Sequence, residues 1–332
     1  MPNSFARWIE QQWQCIGPWH ALLMPLSWLF LLLSTIRRLA YFFGVLRSLR
    51  LNVPVIVVGN ISVGGTGKTP LVIWLVEQLK LAGFSPGIVS RGYGSCNRLP
   101  VAVDAKSTAQ SAGDEPLLLA RRTGCPVWIG TNRSAAAQAL MRANPQCDLI
   151  ISDDGLQHYR LQRDIELAVV DAVRGFGNGQ LLPAGPLREP VSRLSKVDAV
   201  IYNGKQGNCA GYVMRLQSGL FRNLKRPQKA IGAEAFSGSN VFAVAGIGNP
   251  QRFFNQLRAM GLNIEARAFP DHFAFRPADM AFAGDGVLLM TEKDAVKCSA
   301  FAGPDWWYLP VDAVVDHALA DYIIQKLRKS NG

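Results

Sequence analysis

A glycine-rich segment near residue 65 constrains the fold of this chain more than any other feature. It follows the apolar run at residues 53–59 and ends in Lys-Thr, the pattern of a loop that binds phosphate groups. Backbone N–H groups of such a turn converge on phosphate oxygens, and the next helix adds the positive end of its dipole. The predicted nucleotide-binding residues are Gly64, Gly65, Thr66, Gly67, Lys68 and Thr69.

Two side chains of this loop have specific predicted roles. Lys68 reaches the β- and γ-phosphates of a nucleotide, and the Thr69 hydroxyl is a ligand for Mg²⁺. The complete motif has a glycine where this chain has Ser62, so the spacing alone leaves open a glycine-rich turn that binds nothing. The context favours a phosphate loop, because a predicted strand precedes it and a helical pattern at residues 71–81 follows Pro70.

The rest of the chain alternates short apolar runs with helical patterns, which indicates βαβ units and a parallel sheet. We predict strands at residues 53–58, 87–89, 127–129, 149–152, 167–170 and 199–202. We predict helices at residues 70–81, 115–123 and 134–143. A second α/β unit is predicted from strands at residues 241–245, 263–268 and 287–291 and a helix at residues 250–260.

The expected fold class is α/β, with a P-loop NTPase-like parallel sheet and flanking helices. A smaller C-terminal α/β domain and an N-terminal membrane-associated helical segment complete the expected architecture. The predicted parts are the helical segment 1–50, the P-loop domain 51–205, a basic connection 206–238 and the C-terminal domain 239–332.

The N-terminal segment is apolar and uncharged. Residues 11–36 carry no charged side chain, and residues 21–33 are almost wholly apolar. Trp13 and Trp19 stand on one side of this core, and Arg37 and Arg38 on the other. Spanning a bilayer takes about 20 consecutive apolar residues, whereas tryptophan at the edges with arginine beyond favours a helix in the headgroup region of an anionic membrane. A helix packed on the domain core is the alternative.

Charge and cysteine content narrow the partner and the compartment. A net charge of +11 indicates an anionic partner. The basic residues are dispersed and lack a base-stacking platform, so we expect no nucleic acid and favour an anionic membrane surface, with a solvated basic surface as the alternative. The six cysteines include no C-x-x-C pair, which suits the reducing cytoplasm.

A pair of acids ends the predicted strand at residues 149–152. Asp153 and Asp154 stand where P-loop folds hold the acid that binds Mg²⁺ or its water. The D-x-x-G motif of GTPases is absent here, and residues 291–294 lack the spacing that reads guanine. Val63 occupies the position at which partition ATPases have a lysine, which argues against that class.

Eight segments together resemble the tetraacyldisaccharide 4′-kinase family, the lipid A 4′-kinases of Gram-negative bacteria, over nearly the whole chain. They are VGNISV at 58–63, SRGYG at 90–94, GDEP at 113–116, DDGLQH at 153–158, LPAGPLREP at 182–190, GIGNP at 246–250, DHF at 271–273 and TEKD at 291–294. The resemblance implies ATP-dependent phosphorylation of the 4′-hydroxyl of a tetraacylated glucosamine disaccharide 1-phosphate. It places this reaction at the cytoplasmic face of the inner membrane, with this lipid and the anionic membrane surface as partners and ATP and Mg²⁺ as cofactors.

The resemblance also implies site residues. Asp114 is the expected acceptor of the hydroxyl proton, His272 its partner from the second unit, and Lys68 the cation that neutralises phosphate charge. Asp114 also suits the N-cap of the helix that begins near Pro116. The expected Mg²⁺ contacts are Thr69, Glu115, Asp153 and Asp154.

Four further residues are expected to contact the substrate. Arg91 and Tyr93 follow the second strand, near the crevice where α/β sheets bind ligands. Arg188 and Glu189 lie in a proline-rich loop, for which a rigid turn with a surface ion pair is the alternative. Two other functions stay open from the sequence, a membrane-associated regulatory ATPase and a nucleic-acid-binding NTPase.

Overall fold

A computed structural model describes residue 9 and residues 12–93, 99–104, 106–204 and 211–330. Residues 1–8, 10 and 11 of the N-terminal segment, residue 94 of the SRGYG segment and residues 205–210 around the start of the predicted connection lie outside the described residues. The described chain forms two sheets with helices on both faces of each. The predicted α/β class is confirmed.

The larger sheet has nine strands in the order β15-β8-β7-β6-β1-β5-β2-β4-β3. Its central strands are parallel, and β3 and β15 pair antiparallel at the two edges. The strands are β1 (Val55–Gly59), β2 (Pro86–Ser90), β3 (Val101–Val103), β4 (Val127–Ile129), β5 (Leu149–Asp153), β6 (Ile165–Asp171), β7 (Ala199–Asn203), β8 (Tyr212–Ser218) and β15 (Val311–Val315).

Side chains of β1 alternate between two cores, as the period of two residues in a strand requires. Ile56 and Val58 pack on one face of the sheet with helices α2 (Lys68–Leu81), α4 (Asp114–Thr123) and α8 (His317–Ser330). Val55 and Val57 pack on the other face with α5 (Arg133–Ala143). A short helix, α3 (Ala109–Ala112), precedes α4.

The smaller sheet has six strands in the order β10-β9-β14-β13-β11-β12. Its strands are β9 (Phe221–Asn223), β10 (Ala230–Ile231), β11 (Val241–Ala245), β12 (Ile264–Ala268), β13 (Val287–Thr291) and β14 (Trp306–Leu309). Helix α6 (Pro250–Ala259) packs on one face and helix α7 (Glu292–Cys298) on the other. The strands and helices predicted by sequence occur in both units, with ends within two residues of those predicted.

Sheet membership does not follow the predicted division of the chain. Residues 206–238, expected as a connection, contribute β8 to the larger sheet and β9 and β10 to the smaller one. The last elements, β15 and α8, return to the larger sheet, where Leu319, Ile323 and Leu327 are buried in its core. The domain boundaries at residues 205 and 239 stay a prediction.

Helix α1 (Pro18–Phe42) lies on the outside of the larger unit. The helix extends beyond the apolar core predicted at residues 21–33. By length and composition it could cross a membrane, and it is the one such helix among the described residues. Only His20 and Ser27 are buried among its residues. One narrow face therefore contacts the protein, in contrast to a helix packed into the core.

Candidate active site

The phosphate loop lies between β1 and α2, at the carboxyl end of the central strand, where α/β sheets bind ligands. Gly67, the residue before α2, has φ of 94°, a left-handed conformation that favours glycine. A Cβ at this position would lie 2.7 Å from the side-chain nitrogen of Asn203. That nitrogen donates to the Thr66 carbonyl at 3.0 Å, so Asn203 at the end of β7 fixes the loop.

Lys68, the loop lysine, contacts one of the two acids that follow β5. Its Nζ lies 3.2 Å from Oδ1 of Asp154, and Nη1 of Arg188 lies 3.1 Å from Oδ2 of the same carboxylate. Arg133 donates to the Asp154 backbone carbonyl at 2.7 Å. Burial opposes ionisation of Asp154, but Lys68, Arg188 and Arg133 lower its pKa to about 2. Asp154 is therefore a carboxylate whose charge is already balanced by cations.

Asp153, the neighbouring acid, is in a different environment. It is 1% exposed, and one carboxylate oxygen accepts a hydrogen bond from Ser90 Oγ at 3.2 Å. The other oxygen, Oδ1, has no hydrogen-bond partner among the described residues. Burial, with the charges of Glu115 and Asp154, raises the pKa of Asp153 well above its ordinary value. A buried carboxylate oxygen without a partner suits a bound cation, which would hold the group ionised.

Asp114 and His272 form the pair that the sequence predicts. Nδ1 of His272 lies 3.0 Å from each carboxylate oxygen of Asp114, which is 4% exposed. His272 has φ of 57°, a left-handed conformation that is uncommon for residues other than glycine. Gly113 caps α4, so Asp114 is the first residue of that helix and is not its N-cap, an alternative that the sequence suggested.

Two lysines of α7 add charge beside this pair. Nζ of Lys293 lies 3.8 Å and Nζ of Lys297 lies 3.9 Å from Oδ2 of Asp114. Burial would raise the pKa of Asp114, but the hydrogen bond from His272 and the charges of Lys293 and Lys297 lower it overall. The same hydrogen bond raises the pKa of His272. Asp114 is thus ionised, and His272 orients its carboxylate.

Lys293 connects the two units at this point. Its Nζ lies 3.0 Å from Oε1 of Glu115 and 3.4 Å from Oδ1 of Asp271, the residue before His272. Burial disfavours the charge, but Glu115, Asp114 and Asp271 raise the pKa of Lys293, so it stays protonated. One cation therefore contacts the helix that carries Asp114 and the loop that carries His272.

The residues expected to contact substrate differ in exposure. Arg91 and Tyr93 are exposed, and the Tyr93 ring lies 4.9 Å from that of His272 between centroids. Glu189 is buried, and its carboxylate accepts from Tyr159 at 2.9 Å and pairs with Arg193 at 3.1 Å. These partners give Glu189 a role in holding its loop, as the rigid-turn alternative suggested, and its contact with substrate stays a prediction.

His158, the last residue of the DDGLQH segment, contributes a neutral imidazole. Burial and then the charges of Arg133, Arg163, Arg37 and Arg160 lower its pKa to about 4. Its Nε2 is buried without a hydrogen-bond partner among the described residues. An imidazole among arginines stays uncharged at neutral pH, because a proton there would add to the same sign of charge.

Most of these groups border one cleft of about 1890 Å³ between the two sheets and α1; Thr66, Arg163, Arg193 and Lys297 lie behind its lining. The predicted site residues that line it are Gly64, Gly65, Gly67, Lys68, Thr69, Arg91, Tyr93, Asp114, Glu115, Asp153, Asp154, Arg188, Glu189 and His272. The structure therefore brings the predicted nucleotide, catalytic, metal and substrate residues to one site. The cleft reaches α1 at Phe30 and Leu33, so an apolar wall continues from the polar centre.

Comparison with known proteins identifies the family. The family model described as tetraacyldisaccharide-1-P 4′-kinase, LpxK, matches residues 19–328. A tetraacyldisaccharide 4′-kinase of Methylobacillus flagellatus is 54% identical over 329 residues, which cover 99% of this chain and 98% of the relative. The enzyme of that name from Azoarcus sp. is 54% identical over 322 residues, which cover 95% of this chain and 94% of the relative.

The chain belongs to the tetraacyldisaccharide 4′-kinase family. The predicted resemblance is confirmed, and with it the enzyme class, a kinase of lipid A synthesis. Membership of this family excludes the two other functions that the sequence left open, a membrane-associated regulatory ATPase and a nucleic-acid-binding NTPase.

A solved structure supports the fold of this kinase family member. LpxK from Aquifex aeolicus, crystallised in a complex with ATP, superposes with a TM-score of 0.77 at 26% identity. The match covers 93% of this chain and 99% of that chain. The P-loop-like sheet with flanking helices is thus the fold of the family.

Sequence reasoning missed several residues of this kinase site. Ser90, Arg133, Asn203, Lys293 and Lys297 all contact a predicted site residue. Lys293 lies in the TEKD segment, which signalled the family without indicating that its lysine reaches Asp114. Ser90 and Asn203 each end a parallel strand, a position from which contact with the loops at that edge could have been expected.

Proposed function

We propose that this kinase transfers the γ-phosphate of ATP to the 4′-hydroxyl of a tetraacylated glucosamine disaccharide 1-phosphate. The observation that carries the proposal is one cleft lined by both the phosphate loop and the Asp114–His272 pair. A donor site and a proton acceptor that share a cavity are the two requirements for phosphoryl transfer to an alcohol. The names of the related enzymes supply the substrate, and the ATP complex of the Aquifex aeolicus enzyme supports the donor.

In this proposal Asp114 accepts the proton of the attacking hydroxyl. Its carboxylate is ionised and buried, and His272 holds both of its oxygens at 3.0 Å. As the proton arrives on one oxygen of Asp114, His272 stays bonded to the other oxygen and keeps the carboxylate oriented toward the attacking hydroxyl. Lys293 keeps the carboxylate ionised between turnovers through its charge at 3.8 Å.

The phosphate side of the reaction needs neutralisation of charge. Lys68 currently pairs with Asp154 at 3.2 Å and lies in the loop that would cradle the phosphates. On binding, nucleotide phosphates compete with Asp154 for Lys68, while Arg188 at 3.1 Å retains the carboxylate. The loop amides and the first turn of α2 add further positive potential.

Mg²⁺, if bound with the nucleotide, would neutralise phosphate oxygens. The described residues contain no group of three or more His, Cys, Asp or Glu arranged for a metal, which fits an ion held largely by phosphates and water. Among the predicted contacts, Thr69 and Asp153 suit this ion best, because Oδ1 of Asp153 has no other partner in the described chain. Asp154 is engaged by Lys68 and Arg188, and Glu115 by Lys293.

We further propose that α1 lies along the cytoplasmic surface of the inner membrane and does not cross it. Part of its exposed apolar surface is a stripe with helical spacing and exposures from 50% to 67%: Trp19, Leu22, Leu26, Leu29, Leu33 and Ile36. Beside this stripe Trp28, Leu31, Leu32, Leu39 and Phe42 are exposed as well. A polar stripe with a spacing of seven residues faces the protein: His20, Ser27, Ser34 and Tyr41. A helix of 25 residues is about 37 Å long.

Contacts along this length support the surface orientation. Ser27 is bonded to the loop at residues 181–184, and the Tyr41 ring lies 6.3 Å from that of Tyr159 between centroids. A helix held to the globular body at its middle and its end has protein along one face and is not surrounded by lipid, so it suits the interface better than the bilayer centre. Basic residues beyond its end, such as Arg47 and Arg50, suit an anionic leaflet.

The decisive experiment measures transfer of radiolabelled γ-phosphate from ATP to a tetraacyldisaccharide 1-phosphate. We expect labelled product from the wild-type protein and a loss of about a thousandfold in kcat for Lys68→Ala. Lys225 is exposed and does not line the cleft, so Lys225→Ala is the matched control and should keep wild-type turnover. A wild-type protein that binds ATP but labels no lipid would refute the proposal.

A further inference from the structure

The apolar helix α1 contains one buried serine that is bonded to another part of the chain. Ser27 is 3% exposed, and its Oγ donates to the Leu181 carbonyl at 2.9 Å and accepts from the Ala184 N–H at 3.0 Å. Contact with lipid requires no hydroxyl in the middle of an apolar helix. A hydroxyl that both donates and accepts at this position instead specifies where the helix docks.

A second side chain repeats this attachment. Nε1 of Trp13, just before the helix, donates to the Pro183 carbonyl at 3.0 Å. The backbone carbonyl of Trp13 also accepts from the Asn178 N–H at 2.7 Å. Four hydrogen bonds therefore attach the N-terminal segment to residues 178–184, which lead into and overlap the LPAGPLREP segment at 182–190.

The same loop continues along the flank of the phosphate loop. The Val63 N–H, one residue before Gly64, donates to the Pro186 carbonyl at 2.8 Å. The Arg188 N–H donates to the Ile61 carbonyl at 2.6 Å. Residues 186–188 are thus fixed to the backbone that enters the phosphate loop.

The path ends on the acid that Lys68 contacts. The Arg188 side chain lies 3.1 Å from Asp154, whose other oxygen lies 3.2 Å from Lys68. From Ser27 to Lys68 every step is a hydrogen bond, an ion pair or a few residues of one backbone. Displacement of α1 from the loop would therefore move Arg188 and the entry to the phosphate loop together.

We infer that Ser27 is a positioning residue for phosphoryl transfer, and that α1 is part of the catalytic framework in addition to being a contact with lipid. This inference rests on the function proposed above. Loss of the Ser27 hydroxyl leaves the N–H of the buried residue Ala184 without its partner, whereas the Leu181 carbonyl still accepts from the Gly185 N–H at 2.9 Å. An unsatisfied buried N–H favours separation of helix and loop. A small misplacement of a group that orients the reactants lowers the rate while the chemistry stays the same.

The test uses full-length protein with lipid substrate in detergent micelles, so that membrane binding does not limit the rate. Ser27→Val removes the hydroxyl and has nearly the same shape as Ser27→Thr, and we expect kcat to fall about tenfold with little change in KM for the lipid. Ser27→Thr retains the hydroxyl and should recover most of the activity. Ser195→Ala, an exposed serine whose hydroxyl bonds within its own turn, controls for loss of a hydroxyl elsewhere.

Trp13→Phe provides an independent variant if Ser27→Val does not fold. It removes the donor to Pro183 and should also lower kcat, since it loosens the same attachment. Binding to anionic phospholipid vesicles should be unchanged in both variants, because the exposed apolar stripe is intact. Loss of vesicle binding with normal kcat in micelles would overturn the inference and assign these residues to anchoring alone.

A double-mutant cycle with Arg188→Lys tests the path itself. If Ser27 acts through Arg188, the effect of Ser27→Val on kcat should largely disappear in the Arg188→Lys background. Fully additive losses would overturn the coupling. The activity of the wild-type protein separates the two proposals. A wild-type protein that transfers no phosphate would refute the proposed function. An active wild type with an equally active Ser27→Val variant would refute only the inference about Ser27.

Discussion

Nδ1 of His272 lies 3.0 Å from both carboxylate oxygens of Asp114, although 158 residues separate them in the sequence. Asp114 begins a helix that packs on the larger sheet, and His272 lies in the loop after β12 of the smaller one. The pair therefore exists only while the two units are packed together. Arg122 of the same helix reinforces that packing through Glu292 at 2.7 Å.

Substitution of both members of the pair should show that they act as one unit. Asp114→Ala and His272→Ala should each lower kcat roughly a hundredfold or more, the scale of lost general-base assistance. The double variant should be little worse than the more damaged single variant, because loss of one partner already disables the other. ATP affinity should be retained, since the phosphate loop is untouched. Additive losses in a double-mutant cycle on kcat would contradict a shared role.

Removal of the charge on Lys293 should change the pH dependence of turnover. Lys293 lowers the pKa of Asp114, and Asp114 must be ionised to accept a proton. In Lys293→Met that pKa rises, so the acidic limb of the kcat profile should move to higher pH. Lys293→Arg keeps the charge and should leave the limb in place. An unchanged limb in Lys293→Met would show that the lysine acts only in packing.

Polar replacement of the exposed stripe on α1 should release the protein from membranes. Leu22, Leu26 and Leu29 are at least half exposed, so serine at these positions removes little internal packing. The loss of three leucines should lower partitioning onto anionic vesicles by at least about a hundredfold. Vesicle sedimentation measures this, with Leu81→Ser at the end of α2 as the matched control, since Leu81 is 83% exposed on the globular body. Unchanged sedimentation of the triple variant would place the membrane contact elsewhere.

His158 should make the folded protein less stable in mild acid. Its pKa in the folded chain is about 4, below the ordinary value of 6.5, so the unfolded chain takes up the proton first as pH falls. This destabilisation is absent above about pH 6.5 and grows as pH falls toward 4. His158→Gln lacks the effect, so the wild type should lose on the order of 2 kcal/mol relative to the variant across that window. Unfolding free energies of both proteins at a series of pH values measure the difference, and parallel curves would contradict a neutral buried His158.

Local signals in the sequence predicted much of this structure. Apolar runs with glycine or proline at their ends located the strands, since burial on both faces of a parallel sheet demands such runs. The glycines and Lys-Thr of the phosphate loop, and acids at the end of β5, indicated the nucleotide site because these chemistries depend on neighbours in sequence.

The remaining features depend on packing between distant segments. Lys293 reaches Asp114 because α7 packs on α4, and no spacing in the sequence reports that contact. Strand β15 pairs with β8, although the strands of the smaller sheet lie between them in the sequence. The return of the C-terminal residues to the larger sheet was therefore not predicted. The attachment of Ser27 was missed for a related reason, since a serine in an apolar run gives no indication of its partner.

The return of β15 and α8 to the larger sheet has a consequence for how the protein is made. Synthesis runs from the N-terminus, so α1 leaves the ribosome before the strands of either sheet and is available to a lipid surface before they are complete. The edge strand Val311–Val315 and the helix His317–Ser330 come last, and β8 and the core around α2 lack their covering until then. The sheet that bears the phosphate loop is therefore completed only after β15 and α8 emerge, by which time α1 has long been available to the membrane.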